Sequence, residues 1–300
     1  MVIFERLSIM SISYQPMQGK ICLITGANSG IGKATALGLA KLGATVVLVS
    51  RDRARGEQAQ SEIKAQSGNP NVDLLLADLS SQKSIRQLAD DFKQRYTQLH
   101  VLINNAGVFQ VRKHLTVDGL DIVFAVNQLA PFLLTNLLLD MLKASAPARI
   151  VNVSSGSHEA NYLKLDDLQS EKHYRPMRAY GQSKLALVLF TYEMARRLEG
   201  TGVTANCLHP GFVATNIAQR GMPAIVRLAA KPIFLFGISP EQGAKTSIYL
   251  ASSPDVEGVT GKYFVKSVPK LSSPLTHDES LQHKLWQVCA VMTGLTLQVV

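Results

Sequence analysis

Residues 21–32 read Ile21-Cys22-Leu23-Ile24-Thr25-Gly26-Ala27-Asn28-Ser29-Gly30-Ile31-Gly32. The first five form a short apolar run of strand character. Glycine then recurs at 26, 30 and 32, and from Gly30 to Leu42 the spacing is helical. A strand that turns sharply into a helix points backbone N–H groups, and the positive end of the helix dipole, at whatever lies above the turn. Glycine permits both the turn and a close backbone approach to an anion. An ordinary glycine-rich turn is the competing reading. The strand before and the helix after favour a dinucleotide pyrophosphate.

Outward from this turn the chain alternates. Apolar strand-like runs at 44–50, 72–77, 100–104, 149–153 and 203–208 are separated by helical stretches at 53–66, 81–96, 117–143 and 178–199. Buried apolar strands alternating with helices imply a parallel sheet covered on both faces. Six such strands predict an α/β fold: a single doubly wound Rossmann domain. No linker composition divides the chain. The expected layout is an N-terminal extension at 1–18, a catalytic domain at 19–270 with a substrate lid at about 211–237, and a C-terminal extension at 271–300.

Composition agrees. The chain has 300 residues, 46% hydrophobic and 18% charged, which excludes a disordered polymer. No apolar run is long enough for a plain transmembrane helix. Cys22, Cys207 and Cys289 have no metal-like spacing and no disulfide framework, so no metal is expected and a reducing, cytoplasmic compartment is. The net charge of +9 is uneven: +3 in residues 1–142, +6 in 143–231 and zero beyond. A basic balance suits an anionic partner. No run of five basic residues occurs, which argues against nucleic acid.

The glycine pattern is T-G-x-x-x-G-x-G, not the common G-x-G-x-x-G. Three further segments follow in order: Asn104-Asn105-Ala106-Gly107, Tyr180-Gly-Gln-Ser-Lys184 and His209-Pro210-Gly211. Together they resemble the short-chain dehydrogenase/reductase family over about Gly19 to Tyr263. The stretches 166–172, 183–190, 195–198 and 255–263 resemble its retinol dehydrogenase-like branch more narrowly. The resemblance implies a nicotinamide cofactor held by Gly26, Asn28, Ser29, Gly30, Ile31 and Gly32, with Asp78 and Leu79 at the adenine. It also implies Asn105 and Gly107 at the ribose, Lys184 at the nicotinamide ribose, and Ala106, Tyr180, Pro210 and Gly211 as further cofactor contacts.

An NAD-specific turn places a carboxylate about 20 residues on, to grip the ribose 2′-hydroxyl. Here that place holds Ser50 followed by Arg51, with Asp52 one residue further. Ser50 and Arg51 suit a 2′-phosphate, so NADP(H) is the expected cofactor. Lys33 is a candidate second cation. A merely solvated helix entrance is the alternative for the arginines.

Tyr180 and Lys184 lie four apart on one helical face. A tyrosine with a pKa near 10 is a poor acid–base group at neutral pH, and a nearby ammonium stabilises its phenolate. Ser155, at the end of the fifth strand, can hydrogen-bond a substrate oxygen; Ser154 precedes it, and alignment on the strand favours Ser155. By the resemblance, Asn127 kinks its helix and holds a water in a proton relay behind Lys184. His158 and His173, in the insertion at 158–175, receive no role.

The expected reaction is hydride exchange between NADP(H) and a carbonyl or alcohol, on a lipophilic aldehyde or ketone such as retinal. A tetrapyrrole double-bond reductase and a non-catalytic NADP(H)-binding module are the alternatives. Thr215 is placed against the cofactor. The apolar stretch 222–236 is open to three readings: lid, membrane-surface contact or buried helix. A peripheral membrane contact and a homodimer stay open as partners.

Overall fold

The structure is a computed structural model that describes residues 16–159, 163–212 and 237–296. Its centre is one eight-stranded sheet in the order β3-β2-β1-β4-β5-β6-β7-β8. The strands are β1 (Ile21–Thr25), β2 (Thr45–Ser50), β3 (Val72–Leu76), β4 (Val101–Asn104), β5 (Ala148–Val153), β6 (Val203–His209), β7 (Tyr263–Val265) and β8 (Val268–Lys270). All pairings are parallel except β7 with β8. The first six strands have the doubly wound order, with the reversal between β1 and β4. Cofactors bind at such a reversal, because neighbouring connections leave for opposite faces and open a crevice.

The apolar runs predict six strands. The other two are three-residue strands joined through Lys266 and Ser267, both at positive φ (51° and 62°). Neither residue announces a left-handed turn as Asn-Gly would, and three residues carry no alternation to detect.

Helices cover both faces: α1 (Gly30–Lys41), α2 (Arg53–Ser67) and α3 (Gln82–Arg95); then α4 (Ile122–Phe124), α5 (Ala130–Leu137) and α6 (Leu139–Ala144); then α7 (Pro176–Arg197), α8 (Pro240–Ser252) and α9 (Glu279–Thr293). Asp52, Ser81, Asp121, Ser239 and Asp278 cap five of them through side-chain oxygens.

The helical stretch expected at 117–143 is shorter and broken. Leu115 bridges to Asp121, and the helix starts only at Ile122. A π-helical turn at Ala125–Leu129 precedes Pro131, and a second break falls at Leu138. Proline lacks the N–H that would bond the preceding turn, so an irregularity just before it costs little.

One apolar cluster joins α3, α5, α7 and α9 to the sheet through Phe92, Phe132, Leu185, Phe190 and Trp286; the other places α1 and α8 on the opposite face. Helix α9 buries Leu285, Trp286, Cys289 and Ala290 in the first cluster, and Trp286 packs edge-on to Phe132 with ring centres 4.9 Å apart. The residues expected as a C-terminal extension therefore supply core side chains. Of the predicted lid, only its two ends are described. The chain leaves at Phe212 and returns at Ile238, whose N–H bonds the Phe212 carbonyl at 2.9 Å. Residues 213–236, and Thr215 with them, lie outside the described residues.

Candidate active site

The carboxyl ends of the parallel strands share one edge, and almost every residue singled out in the sequence sits there. The turn 26–32 follows β1, Ser50 and Arg51 end β2, and Asp78 and Leu79 follow β3. Asn105, Ala106 and Gly107 follow β4, Ser155 follows β5, and Pro210 and Gly211 follow β6.

Two glycines shape the turn. Gly26 has φ +66°, and a Cβ there would meet the Ala106 Cα at 2.9 Å. A Cβ at Gly32 would strike the Gly26 carbonyl oxygen and the Asn105 amide. The turn is thus packed directly on the segment after β4. Thr25 locks the two together: its Oγ1 accepts from the N–H groups of Asn105 and Ala106, both at 3.0 Å. The Asn105 side chain returns the contact, donating to the Thr25 carbonyl at 2.8 Å. Asn105 therefore acts on the turn itself, and its amide is engaged by backbone. Nothing in the sequence marks Thr25, since a threonine ending a strand is ordinary.

Ser29 opens α1 without a side-chain cap, and no acidic residue stands in the first turn. Nothing on the helix start repels or displaces an anion, so the turn fits a pyrophosphate. A cleft beside it is lined by Asn28, Ser29, Lys33, Arg55, Gln58 and Glu62. Arg51 is exposed at the end of β2. Asp52, the next residue in the chain, accepts from the Arg55 N–H at 3.0 Å and so caps α2. Lys33, expected as a second cation for a phosphate, instead pairs with Glu62. The Asp78 carboxylate accepts from the Ser80 N–H and hydroxyl, and Leu79 packs on the core.

Asn127, Ser155, Tyr180 and Lys184 converge. Lys184 is buried on α7 and donates from Nζ to the Val153 carbonyl at 2.9 Å. Burial alone pulls its pKa down to about 8. Tyr180 stands beside Ser155; burial raises the phenol's pKa and the neighbouring Ser155 hydroxyl opposes the rise. The Lys184 Nζ lies 5.9 Å from the Tyr180 ring centre, and Phe109 packs edge-on to the ring at 5.7 Å. Ser154 points away, donating to the Lys184 carbonyl at 2.9 Å.

Asn127 sits in the π-helical turn. Its Oδ1 accepts from the Val108 N–H at 2.8 Å, while Nδ2 donates to the Val108 carbonyl and to Ser183 Oγ. Its amide thus clamps the segment after Gly107. A Cβ on Gly107 would lie 3.4 Å from Lys184 Nζ and 3.5 Å from Asn127 Oδ1, so glycine keeps that floor low.

A buried ladder supports the floor. Asn104 donates to Asn152 Oδ1 at 2.8 Å and to Thr135 Oγ1 at 3.1 Å, and Asn152 donates to Thr191 Oγ1 at 2.9 Å. It ties β4, β5, α5 and α7 together behind the candidate catalytic side chains. Nothing local in the sequence marks it, since its members are scattered from 104 to 191.

The family model described as short chain dehydrogenase matches residues 20–224, a span that contains this whole constellation. The chain belongs to the short-chain dehydrogenase family. Among curated relatives of this short-chain dehydrogenase, retinol dehydrogenase 14 of Homo sapiens is 47% identical over 297 residues, covering 93% of the chain and 88% of that protein. Polyprenol dehydrogenase of Homo sapiens is 44% identical over 289 residues, covering 94% and 87%. These relatives place the chain in the retinol dehydrogenase-like branch. A crystal structure of an uncharacterised protein from Mycobacterium paratuberculosis superposes with a TM-score of 0.75 at 33% identity, covering 93% of this chain and 94% of that one. A Pseudomonas aeruginosa RhlG/NADP active-site complex gives 0.66 at 28%, covering 84% and 96%. As a short-chain dehydrogenase the protein is a nicotinamide-dependent oxidoreductase of small-molecule alcohols and carbonyls.

Proposed function

We propose that this short-chain dehydrogenase uses NADP(H) to interconvert a lipophilic alcohol and its aldehyde or ketone. The observation that carries the reaction is the meeting of half-buried Ser155 and Tyr180 with buried Lys184 at the sheet edge where the glycine turn opens. The observation that carries the cofactor is Arg51 at the end of β2, with the neighbouring Asp52 engaged in capping α2.

The turn 26–32 would hold the pyrophosphate, with Asn28 and Ser29 at its lip. Ser50 and Arg51 would meet the 2′-phosphate, Asp78 and Leu79 the adenine, and Ala106, Gly107, Pro210 and Gly211 the nicotinamide half. Bound there, the nicotinamide supplies or accepts the hydride. Ser155 donates a hydrogen bond to the substrate oxygen. Tyr180 delivers the proton to that oxygen in reduction and takes it in oxidation. Lys184, whose ammonium sits beside the phenol in a dry setting, favours the phenolate. Asn127 orders the backbone after Gly107, so the lysine and the ribose floor keep their places. Proton transfer of this kind contributes about 10²–10⁴-fold.

The lipophilic substrate rests on surface chemistry. Exposed Leu115, Val117, Met177 and Phe212 stand on segments at the same edge as the site. Relatives named for retinol and polyprenol agree in class. The same apolar rim suits peripheral contact with a membrane. No described helix is long and apolar enough to cross one.

A panel of aldehydes and ketones of rising chain length, assayed with NADPH and NADH, tests the reading. Turnover rising with apolar length and a preference for NADPH of about tenfold or more are expected. Tyr180→Phe loses activity about 100-fold or more and keeps cofactor affinity. No turnover of any carbonyl by the wild-type protein overturns the proposal.

A further inference from the structure

Two histidines outside the catalytic set hold the peptide that follows Ser155. On one side, His158 Nδ1 lies 2.7 Å from the Ser155 carbonyl oxygen. On the other, the Gly156 N–H donates to His209 Nδ1 at 3.1 Å. Both polar groups of one peptide plane are thus engaged by imidazoles. Ser155 Oγ itself accepts from the Ser157 N–H at 3.2 Å, within the short 3-10 turn that ends at His158. That bond takes a lone pair and leaves the hydroxyl proton for Tyr180 or a substrate oxygen.

The chemistry fixes the protonation of each ring. A carbonyl oxygen only accepts, so His158 Nδ1 carries a proton. The Ser273 N–H donates to His158 Nε2 at 3.3 Å, so Nε2 carries none. His209 is the reverse at Nδ1, which accepts. Both rings are therefore neutral, in opposite tautomers. A proton added to His158 Nε2 would face the Ser273 N–H, and one added to His209 Nδ1 would face the Gly156 N–H. His158 is fully buried against the Tyr263 ring, with centres 4.7 Å apart.

We propose that neutral His158 and His209 are positioning residues for the reaction, clamping the Ser155–Gly156 peptide so that the Ser155 hydroxyl faces Tyr180. The proposal rests on the oxidoreductase reading above. Protonation of His209 opens the clamp, because Nδ1 then has no lone pair for the Gly156 N–H; a charged His158 keeps its bond to the Ser155 carbonyl and loses only the Ser273 contact. The groups facing the pair are Glu159, which favours a charged ring on both, His158, which disfavours charge on His209, the Ser155 carbonyl, which favours charge on His158, and Tyr263 at His158. Burial is the larger influence and holds both pKa values below that of an ordinary histidine.

The test uses the full chain with NADPH and decanal. Wild-type kcat is expected to fall below the ordinary histidine range as the clamp protonates. His209→Ala lowers kcat about tenfold near neutral pH, with NADPH affinity (by fluorescence titration) unchanged. In His209→Asn the amide oxygen takes the Nδ1 place, restores kcat to within about threefold and shifts or removes the acid limb. Wild-type kcat in His209→Ala, or the same acid limb in both His209→Asn and His158→Asn, overturns the proposal. Should His209→Ala fail to fold, nitrogen NMR of the wild-type imidazoles decides: opposite neutral tautomers support the clamp and matching ones sink it. Failure of the oxidoreductase reading shows separately, as an inactive wild type.

Discussion

Lys184 Nζ donates to the Val153 carbonyl oxygen, 2.9 Å away, two residues before Ser155. A buried ammonium with a carbonyl as its partner is an unfavourable arrangement for folding and a useful one for proton chemistry. Burial lowers the lysine's pKa from 10.5 to about 8. The native state therefore holds fewer protons than the unfolded state between those values. The cost to stability is complete below about pH 8 and fades as pH rises towards 10.5. It amounts to about 3 kcal/mol. Lys184→Met should be inactive yet more resistant to urea than wild type at pH 7, with the advantage shrinking at pH 10. Equal midpoints at both pH values would refute this.

Arg51 bears on cofactor choice. It is exposed at the end of β2. Removing a charge-assisted contact to a phosphate costs about 1.5–3 kcal/mol, or roughly 10- to 100-fold in affinity. Arg51→Ala should raise KM for NADPH by that factor and leave KM for NADH within about twofold. Steady-state kinetics with both cofactors measures it. A matching loss for NADH would assign Arg51 a structural role.

Thr25 carries the turn. Its hydroxyl accepts from two N–H groups; valine of the same shape would leave the Ala106 N–H without an acceptor, while the Asn105 N–H keeps the Ile103 carbonyl at 3.1 Å. The orphaned donor costs about 1–3 kcal/mol. Thr25→Val should lower the urea midpoint and weaken cofactor binding together, whereas Thr25→Ser should do neither strongly. Independent movement of the two properties would separate the clasp from the cofactor site.

Trp286 tests whether α9 belongs to the fold. It contacts Phe132 and Phe190, and the Arg197 guanidinium lies 4.2 Å from its ring centre. Trp286→Ala should cost about 3–5 kcal/mol, read as a fall in unfolding midpoint by circular dichroism. A change under about 1 kcal/mol would mean that α9 is dispensable to stability.

Much of the site was legible in the chain, because a glycine turn, Tyr180 with Lys184, and a serine at a strand end are local patterns. What was hidden involves partners far apart in sequence. Lys33 reads as a phosphate ligand until α2 brings Glu62 to it. His158 lies in an insertion without a motif, and its partners Ser155 and Ser273 are 3 and 115 residues away. Asn105 reads as a ribose contact until its amide is seen on the Thr25 carbonyl.

The sequence by itself determined the doubly wound sheet, the site at its carboxyl edge and the four catalytic candidates. Strand periodicity, helical spacing and glycine geometry act within a few residues and are written there. Only the tertiary structure decided the two extra strands, the burial that lowers the Lys184 pKa, and the peptide clamp around Ser155. Those depend on which distant groups exclude water from one another, and a linear spacing does not carry that information.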